Sequence, residues 1–122
     1  LKDQTMKTLF ILNAAPYGDE RTYNALRLAG ALAKRTEHSV RTFLMGDAAM
    51  AAKRGQKVPE GFYNVQLMLE RVARTAPDSV AVCGTCMDAR GIQENELVAC
   101  AQRGTLELLA DWTVWADKAL VF

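Results

Sequence analysis

The chain has 122 residues, half of them hydrophobic and 24% charged, and its 15 Lys and Arg against 14 Asp and Glu give a formal net charge of +1. That balance excludes a large basic field for nucleic acid, and the length suits one domain around one core. No apolar run of about 18 residues could span a bilayer, and no charged segment leads into a cleavable apolar stretch, so a cytoplasmic protein without membrane or direct nucleic-acid binding is expected.

Residues 1–5 precede "MKTLFIL", which has the look of a natural start, so they are taken as an N-terminal extension to a domain spanning 6–122. Thr8 to Leu12 form a short unbroken apolar run that ends at "NAAPYG", where Pro16 and Gly18 stop regular structure. This predicts a buried strand with a loop at its carboxyl end. Leu26, Ala29, Gly30 and Ala33 then fall on one helical face, predicting a helix from about Glu20 to Arg35. "VRTFLM", Val40 to Met45, predicts a second strand, and Asp47 to Lys53 a short Ala-rich helix. The glycine- and proline-containing "RGQKVPEGFY" is a long loop; Gly55 to Phe62 either cover a site, meet another subunit or merely connect. Asn64 is placed to cap a helix carrying Val65, Met68, Leu69, Val72 and Ala76 up to Pro77. Ser79 to Val82 predict a strand running into Cys83. Beyond it come a helix-compatible stretch from Glu94, an ambiguous "ACAQRG", a helix from Thr105 to about Trp115 and a closing strand from Ala119 to Phe122.

Apolar strands alternating with amphipathic helices predict right-handed βαβ units. The expected fold class is therefore α/β: a single-domain layered fold whose mainly parallel central sheet is flanked by helices on both faces.

Ligands of open α/β sheets gather beyond the carboxyl ends of strands, where both "NAAPYG" and Cys83-Gly84-Thr85-Cys86 fall. Three cysteines, Cys83, Cys86 and Cys100, are an odd number in a chain with its own core, which favours reduced thiols over a disulfide framework. Four readings of the pair stand at this point. Structural zinc needs four ligands, and only Cys100 and His38 would be left to complete the set. A thioredoxin-like couple has the right strand-to-helix placement but lacks the aromatic residue before the first cysteine and the proline between the two. Both thiols could be small hydrophobes in the core, the reading preferred for Cys100. A nucleophilic thiolate at a helical start could accept sulfane sulfur as a persulfide, with no metal or cofactor required. Arg90 would favour that thiolate and Asp88 oppose it, while Asn13 and Tyr17 could line a pocket or serve turns and packing. Trp112 and Trp115 suit a core or subunit interface better than ligand stacking, and His38 is expected to be exposed.

The blocks "NAAPYG", "NALRLAGAL", "FLMGDA", "GQKVPEGF", "CGTCMDARGI", "GTLELLADWT" and "ADKALVF" give the chain its resemblance to the DsrE/TusD-like sulfur-relay superfamily, in particular its YchN-like branch, from Met6 to Phe122. The resemblance implies a cytoplasmic parallel-sheet domain that assembles into homo-oligomeric rings, trimers or hexamers, and exchanges sulfur with donor and acceptor proteins. It further implies that a cysteine eight residues before the glycine of an "RRG"-like ending carries the persulfide. Here that is Cys83, eight residues before Gly91. Cys86 belongs to the YchN-like pattern and would act as a resolving thiol, or make the protein a dithiol redox protein. The alternative is a non-catalytic oligomeric module that binds a small molecule, a metal or a protein at the same edge.

Overall fold

The computed structural model of the chain describes residues 5–74 and 76–122. The first four residues of the expected extension and Thr75, within the third predicted helix, lie outside that set. In chain order the elements are β1 (Met6–Leu12), α1 (Arg21–Ala33), β2 (His38–Leu44), a 3-10 helix (Gly46–Ala52), α2 (Val65–Ala73), β3 (Val80–Cys83), α3 (Gly84–Ala89), a 3-10 turn (Glu94–Glu96), β4 (Ala101–Gly104), α4 (Leu106–Trp115) and β5 (Lys118–Val121). The strands form one sheet in the order β4-β3-β2-β1-β5, and every pairing is parallel.

Strand periodicity divides the core in two. Phe10 and Leu12 of β1 point to one face, where Ala25, Leu26 and Ala29 of α1, Val65, Leu69 and Val72 of α2, the alanines of the 3-10 helix and Met87 of α3 bury them. Leu9 of β1, Phe43 of β2 and Ala81 of β3 point to the other, where Trp112 of α4 is their buried partner. One face is thus covered by several elements and the other by α4, whose length leaves that face thinly clothed. Β3, with Val80, Ala81 and Val82 fully buried, is the strand that delivers Cys83 to the carboxyl edge.

The expected elements recur with shifted ends, and the differences are local. The Ala-rich segment winds as a 3-10 helix, so four of its small residues, Ala48, Ala49, Ala51 and Ala52, can sit fully buried against the sheet. "AQRG" is β4, an edge strand whose two middle residues are exposed, which removes the apolar signal that would announce it. Only Glu94–Glu96 of the helix-compatible stretch is helical, as a single 3-10 turn closed by a reciprocal cap between Gln93 and Glu96. Asn64 and Thr105 cap α2 and α4 by accepting from the peptide N–H groups of Leu67 and Leu108. Trp112 is buried edge-on against Phe43, and Arg41 lies over the faces of both Trp112 and Trp115, so neither indole offers a free stacking face on that side. His38 opens β2 half-buried.

Candidate functional site around Cys83 and Cys86

Cys83 is at once the last residue of β3 and the N-cap of α3, and Cys86 lies in the first turn of that helix. The helix ends after six residues because Gly91 adopts a left-handed conformation (φ 67°). That turn lets the N–H groups of Gly91 and Ile92 donate to the carbonyls of Asp88 and Met87. This is a Schellman closure, in which buried Met87 and Ile92 both anchor the helix in the core. The "ARGI" ending is therefore what fixes the cysteine-bearing helix to the sheet.

The two thiols face different surroundings. Cys83 packs at the margin of the cluster under α4, whereas Cys86 packs at the margin of the larger cluster on the opposite side. Gly46, at φ 53°, directs its N–H at the Cys86 sulfur, 3.1 Å away, a backbone turn that an L side chain would strain. The Thr85 hydroxyl lies 3.3 Å from the Cys83 sulfur. Burial pushes the Cys83 thiol up, but hydrogen bonding from the Cys86 thiol, the Thr85 hydroxyl and the peptide N–H groups of Cys86 and Thr85 outweighs it, leaving Cys83 below the ordinary thiol value. Burial pushes Cys86 up, the Cys83 sulfur pushes it further, and the Gly46 N–H and Arg90 only partly offset them. Cys83 is the member of the pair that gives up its proton first. Cys100 is also pushed up by burial and packs against the larger core, in keeping with a structural residue.

Cys83 and Cys86 both border one cavity of about 500 Å³, walled by Phe43, Met45 and Leu109 and rimmed by Thr85, Arg103 and Glu107. A cavity of that size admits a small molecule or an extended side chain. Its lining comes from β3 and α3 together with the ends of β2 and β4 and the start of α4, which the register brings together by setting Cys83 beside Gly104.

Of the residues expected near the pair, Arg90 is turned toward Cys86: Nη1 donates to the Cys86 carbonyl at 3.1 Å, and Nη2 and Nε hold Asp47 at 2.8 and 3.2 Å. Arg90 therefore ties the helix end to the 3-10 helix and bears on Cys86 rather than Cys83. Asp88 is bidentate with Arg103 at 2.9 Å, which holds its carboxyl below the usual carboxylate range. Asn13 donates weakly to the Phe122 carbonyl at 3.5 Å, its backbone carbonyl lies next to Gly46, and it does not line the cavity. Tyr17 stands apart from the cysteine cavity: it stacks on Tyr63, accepts from the Val65 N–H and lines a second cavity with Lys57, Pro59 and Phe62. The Gly55 to Phe62 loop thus borders that second cavity and not the cysteines.

Thr85, Gly46, Asp47 and above all Arg103 belong to the site without having been singled out in the sequence. Arg103 sits inside the ambiguous "ACAQRG"; recognising that segment as a strand beside β3 would have put it on the same carboxyl edge as Cys83. Among the described residues no group of three or more His, Cys, Asp and Glu side chains is placed to hold a metal ion, and no helix is long and apolar enough to cross a membrane.

The family model for the DsrE/DsrF-like family matches residues 6–122. Protein YchN of Escherichia coli strain K12 is 48% identical over 118 residues, covering 95% of this chain and 98% of that one. The crystal structure of the E. coli ychN protein superposes with a TM-score of 0.87 at 47% identity, over 97% of this chain and all of that one. A protein of unknown function, MTH1491 from Methanobacterium thermoautotrophicum, shares the fold at a TM-score of 0.69 and 10% identity, over 96% and 99% of the two chains. A full-length family match, near-half identity to a relative of the same length and the same all-parallel fold agree, and the chain belongs to the DsrE/DsrF-like family.

Proposed function

We propose that the protein is a sulfur carrier that holds sulfane sulfur as a persulfide on Cys83 and passes it between thiols. The observation that carries this reading is the asymmetry of the pair: Cys83 is drawn toward the thiolate and borders an open cavity, while its neighbour Cys86 is held toward the thiol. A thiolate in an accessible setting is what sulfur transfer requires. In the loading step the Cys83 thiolate attacks the outer sulfur of a donor persulfide. An Sγ–S bond forms, the donor S–S bond breaks, the electron pair leaves on the donor sulfur as thiolate, and the proton stays on the transferred sulfur. An acceptor thiolate repeats the same exchange on that outer sulfur and returns Cys83 as thiolate.

Cys86 supports a second outcome. If its thiolate attacks Cys83 Sγ in the persulfide, hydrosulfide leaves and a Cys83–Cys86 disulfide remains, so the pair also suits a dithiol redox cycle. The raised Cys86 thiol slows this at neutral pH, which is the feature favouring the carrier. Reduced protein incubated with a persulfide donor and measured by intact mass separates the readings. Native and Cys86→Ala protein gain one labile sulfur and Cys83→Ala gains none in the carrier; a disulfide in native protein with no sulfur retained points to the redox cycle; no change in any form rules out both.

The carrier works as a homo-oligomer, a trimer or hexamer, in this reading. Α4 is apolar around much of its circumference, with Leu106 70% and Val114 87% exposed, and Val121 of the β5 edge strand is 67% exposed. A helix of that character calls for cover on its outer side. The near-neutral balance of charge, +1 over the chain, suits donors and acceptors that are proteins or small thiols better than nucleic acid.

A further inference from the structure

We propose that Arg103 makes the Cys83 cavity selective for anionic reaction partners, and that the sulfur donor is a low-molecular-weight persulfide bearing a carboxylate. The choice of donor rests on the sulfur-carrier reading; the anion selectivity does not.

The guanidinium lies directly on the strand-to-helix corner that presents Cys83. A Cβ placed on Gly84 would stand 2.7 Å from Arg103 Nε, 2.8 Å from Cζ and 2.9 Å from Nη2, so only glycine at that position leaves the guanidinium where it is. Val82 pairs with Arg103 and Cys83 with Gly104, which sets the arginine at the flank of the nucleophile. Arg103 and Cys83 border the same cavity, and the charge on the Cys83 sulfur strengthens the protonated state of Arg103. Glu107 is the cavity's other charged residue.

Two of the five guanidinium N–H groups are spent on Asp88. The remaining three have no hydrogen-bond partner among the described residues, and the Asp88 contact is itself replaceable. Its carboxylate is 62% and the guanidinium side chain 36% exposed, so the pair is of the solvated kind whose net strength is small. A carboxylate arriving beside the reacting sulfur can share the guanidinium or displace Asp88, and Asp88 acts as a stand-in anion that keeps Arg103 over Gly84 between turnovers. The apolar walls, Phe43, Met45 and Leu109, suit the carbon chain between carboxylate and sulfur.

The test compares alkylation of Cys83 by iodoacetate, an anion, and iodoacetamide, its neutral counterpart, quantified on the Cys83 peptide by mass spectrometry. The ratio of the two rates cancels any change in thiolate fraction, so a purely structural effect on Cys83 leaves it unmoved. Arg103→Gln lowers the iodoacetate-to-iodoacetamide ratio about two- to fivefold, the scale of a partly exposed charge interaction. Arg103→Lys keeps most of it, Asp88→Asn raises it by removing the competing anion, and Gly84→Ala lowers it without altering any charge, because the new methyl displaces the guanidinium. Added salt reduces the native ratio toward that of Arg103→Gln. An unchanged ratio in Arg103→Gln, or a fall in Asp88→Asn, overturns the proposal.

The donor class is read separately from loading rates with the persulfides of thioglycolate and 2-mercaptoethanol. Faster loading by the carboxylate-bearing donor, lost in Arg103→Gln, is the expected result. Equal rates overturn the donor class while leaving the carrier reading intact. Loading by neither, with an Arg103-dependent alkylation ratio, overturns the low-molecular-weight donor and leaves the anion selectivity standing.

Discussion

Gly104 and Gly30 would both become alanine at the addition of one methyl group, and the structure predicts opposite consequences. Gly104 ends β4 beside Cys83, and a Cβ there would meet Ala81 Cβ and the Phe43 ring at 3.2 Å and Leu108 Cδ2 at 3.3 Å. Leu108 can rotate away, but Ala81 has no rotamer to change and Phe43 is held edge-on by Trp112. The methyl therefore forces β4 or α4 to shift, an overpacking expected to cost about 1–3 kcal/mol. Gly30 is inside α1, where the nearest atom to a new Cβ is Val72 Cγ2 at 4.0 Å, an ordinary contact. There the gain in helix propensity and the reduced freedom of the unfolded chain stabilise by about 0.5–1 kcal/mol. Urea or thermal denaturation at one protein concentration, which keeps any oligomerisation constant, should separate the two variants by about 1.5–4 kcal/mol. At roughly 4 °C per kcal/mol for a chain of this size, that is a gap of about 6 °C or more. Gly104→Ala as stable as the parent would refute the packing described between β4, β3 and α4, and with it the shape of the cavity beside Cys83.

Peptide-resolved alkylation across a pH series should modify Cys83 at lower pH than Cys86 and Cys100, and Cys86→Ala should move the Cys83 midpoint upward by removing its chief hydrogen-bond partner; coincident midpoints would contradict the asymmetry. Stability should follow with opposite signs. The depressed Cys83 thiol contributes stability present above the ordinary thiol pKa and lost as pH falls through its folded value, whereas the raised Cys100 thiol contributes stability present below that pKa and lost as pH rises through its own. Denaturation midpoints of Cys100→Ala should accordingly decline less steeply than the parent's between about pH 8 and 10. Asn64→Ala and Thr105→Ala should each cost about 1 kcal/mol in urea denaturation through the loss of a cap, with Asn64→Asp close to neutral. Sedimentation velocity should find native protein larger than a monomer, and Val114→Glu, which alters a residue 87% exposed on the protomer, should dissociate it without unfolding the chain; a monomer at the outset would contradict the oligomer.

Most of the architecture is legible because buried parallel strands and amphipathic helices leave strong patterns: β1 ends in the unbroken apolar run Leu9 to Leu12, and α2 follows its cap Asn64 with its apolar residues on one face. Β4 is not, since an edge strand with exposed Gln102 and Arg103 carries no alternation to read. That one omission hides Arg103 and leaves Asp88 without its partner. Arg90 illustrates a different limit. Its position four residues after Cys86 sets its carbonyl contact, but its pairing with Asp47 crosses 43 residues and depends on how the 3-10 helix docks. Asn13 and Tyr17 stand in a strand-end loop, as the sequence suggests, yet the loop's chain path turns them to Phe122 and to the Tyr63 stack. The preference for Cys83 over Cys86 comes from the resemblance, through the spacing to Gly91. The surroundings that support the proposal, a Cys83 sulfur beside the Thr85 hydroxyl and a Cys86 sulfur facing the Gly46 N–H, need the three-dimensional corner.

In the proposed carrier, sulfur resides on one particular thiol. Native protein loaded with a persulfide donor, trapped at once with a neutral alkylating agent and digested for peptide-resolved mass spectrometry, locates it directly. The expected result is an added sulfur on the Cys83 side chain, with Cys86 and Cys100 alkylated as plain thiols. An added sulfur found chiefly on Cys86, or spread equally over the three cysteines, would contradict it.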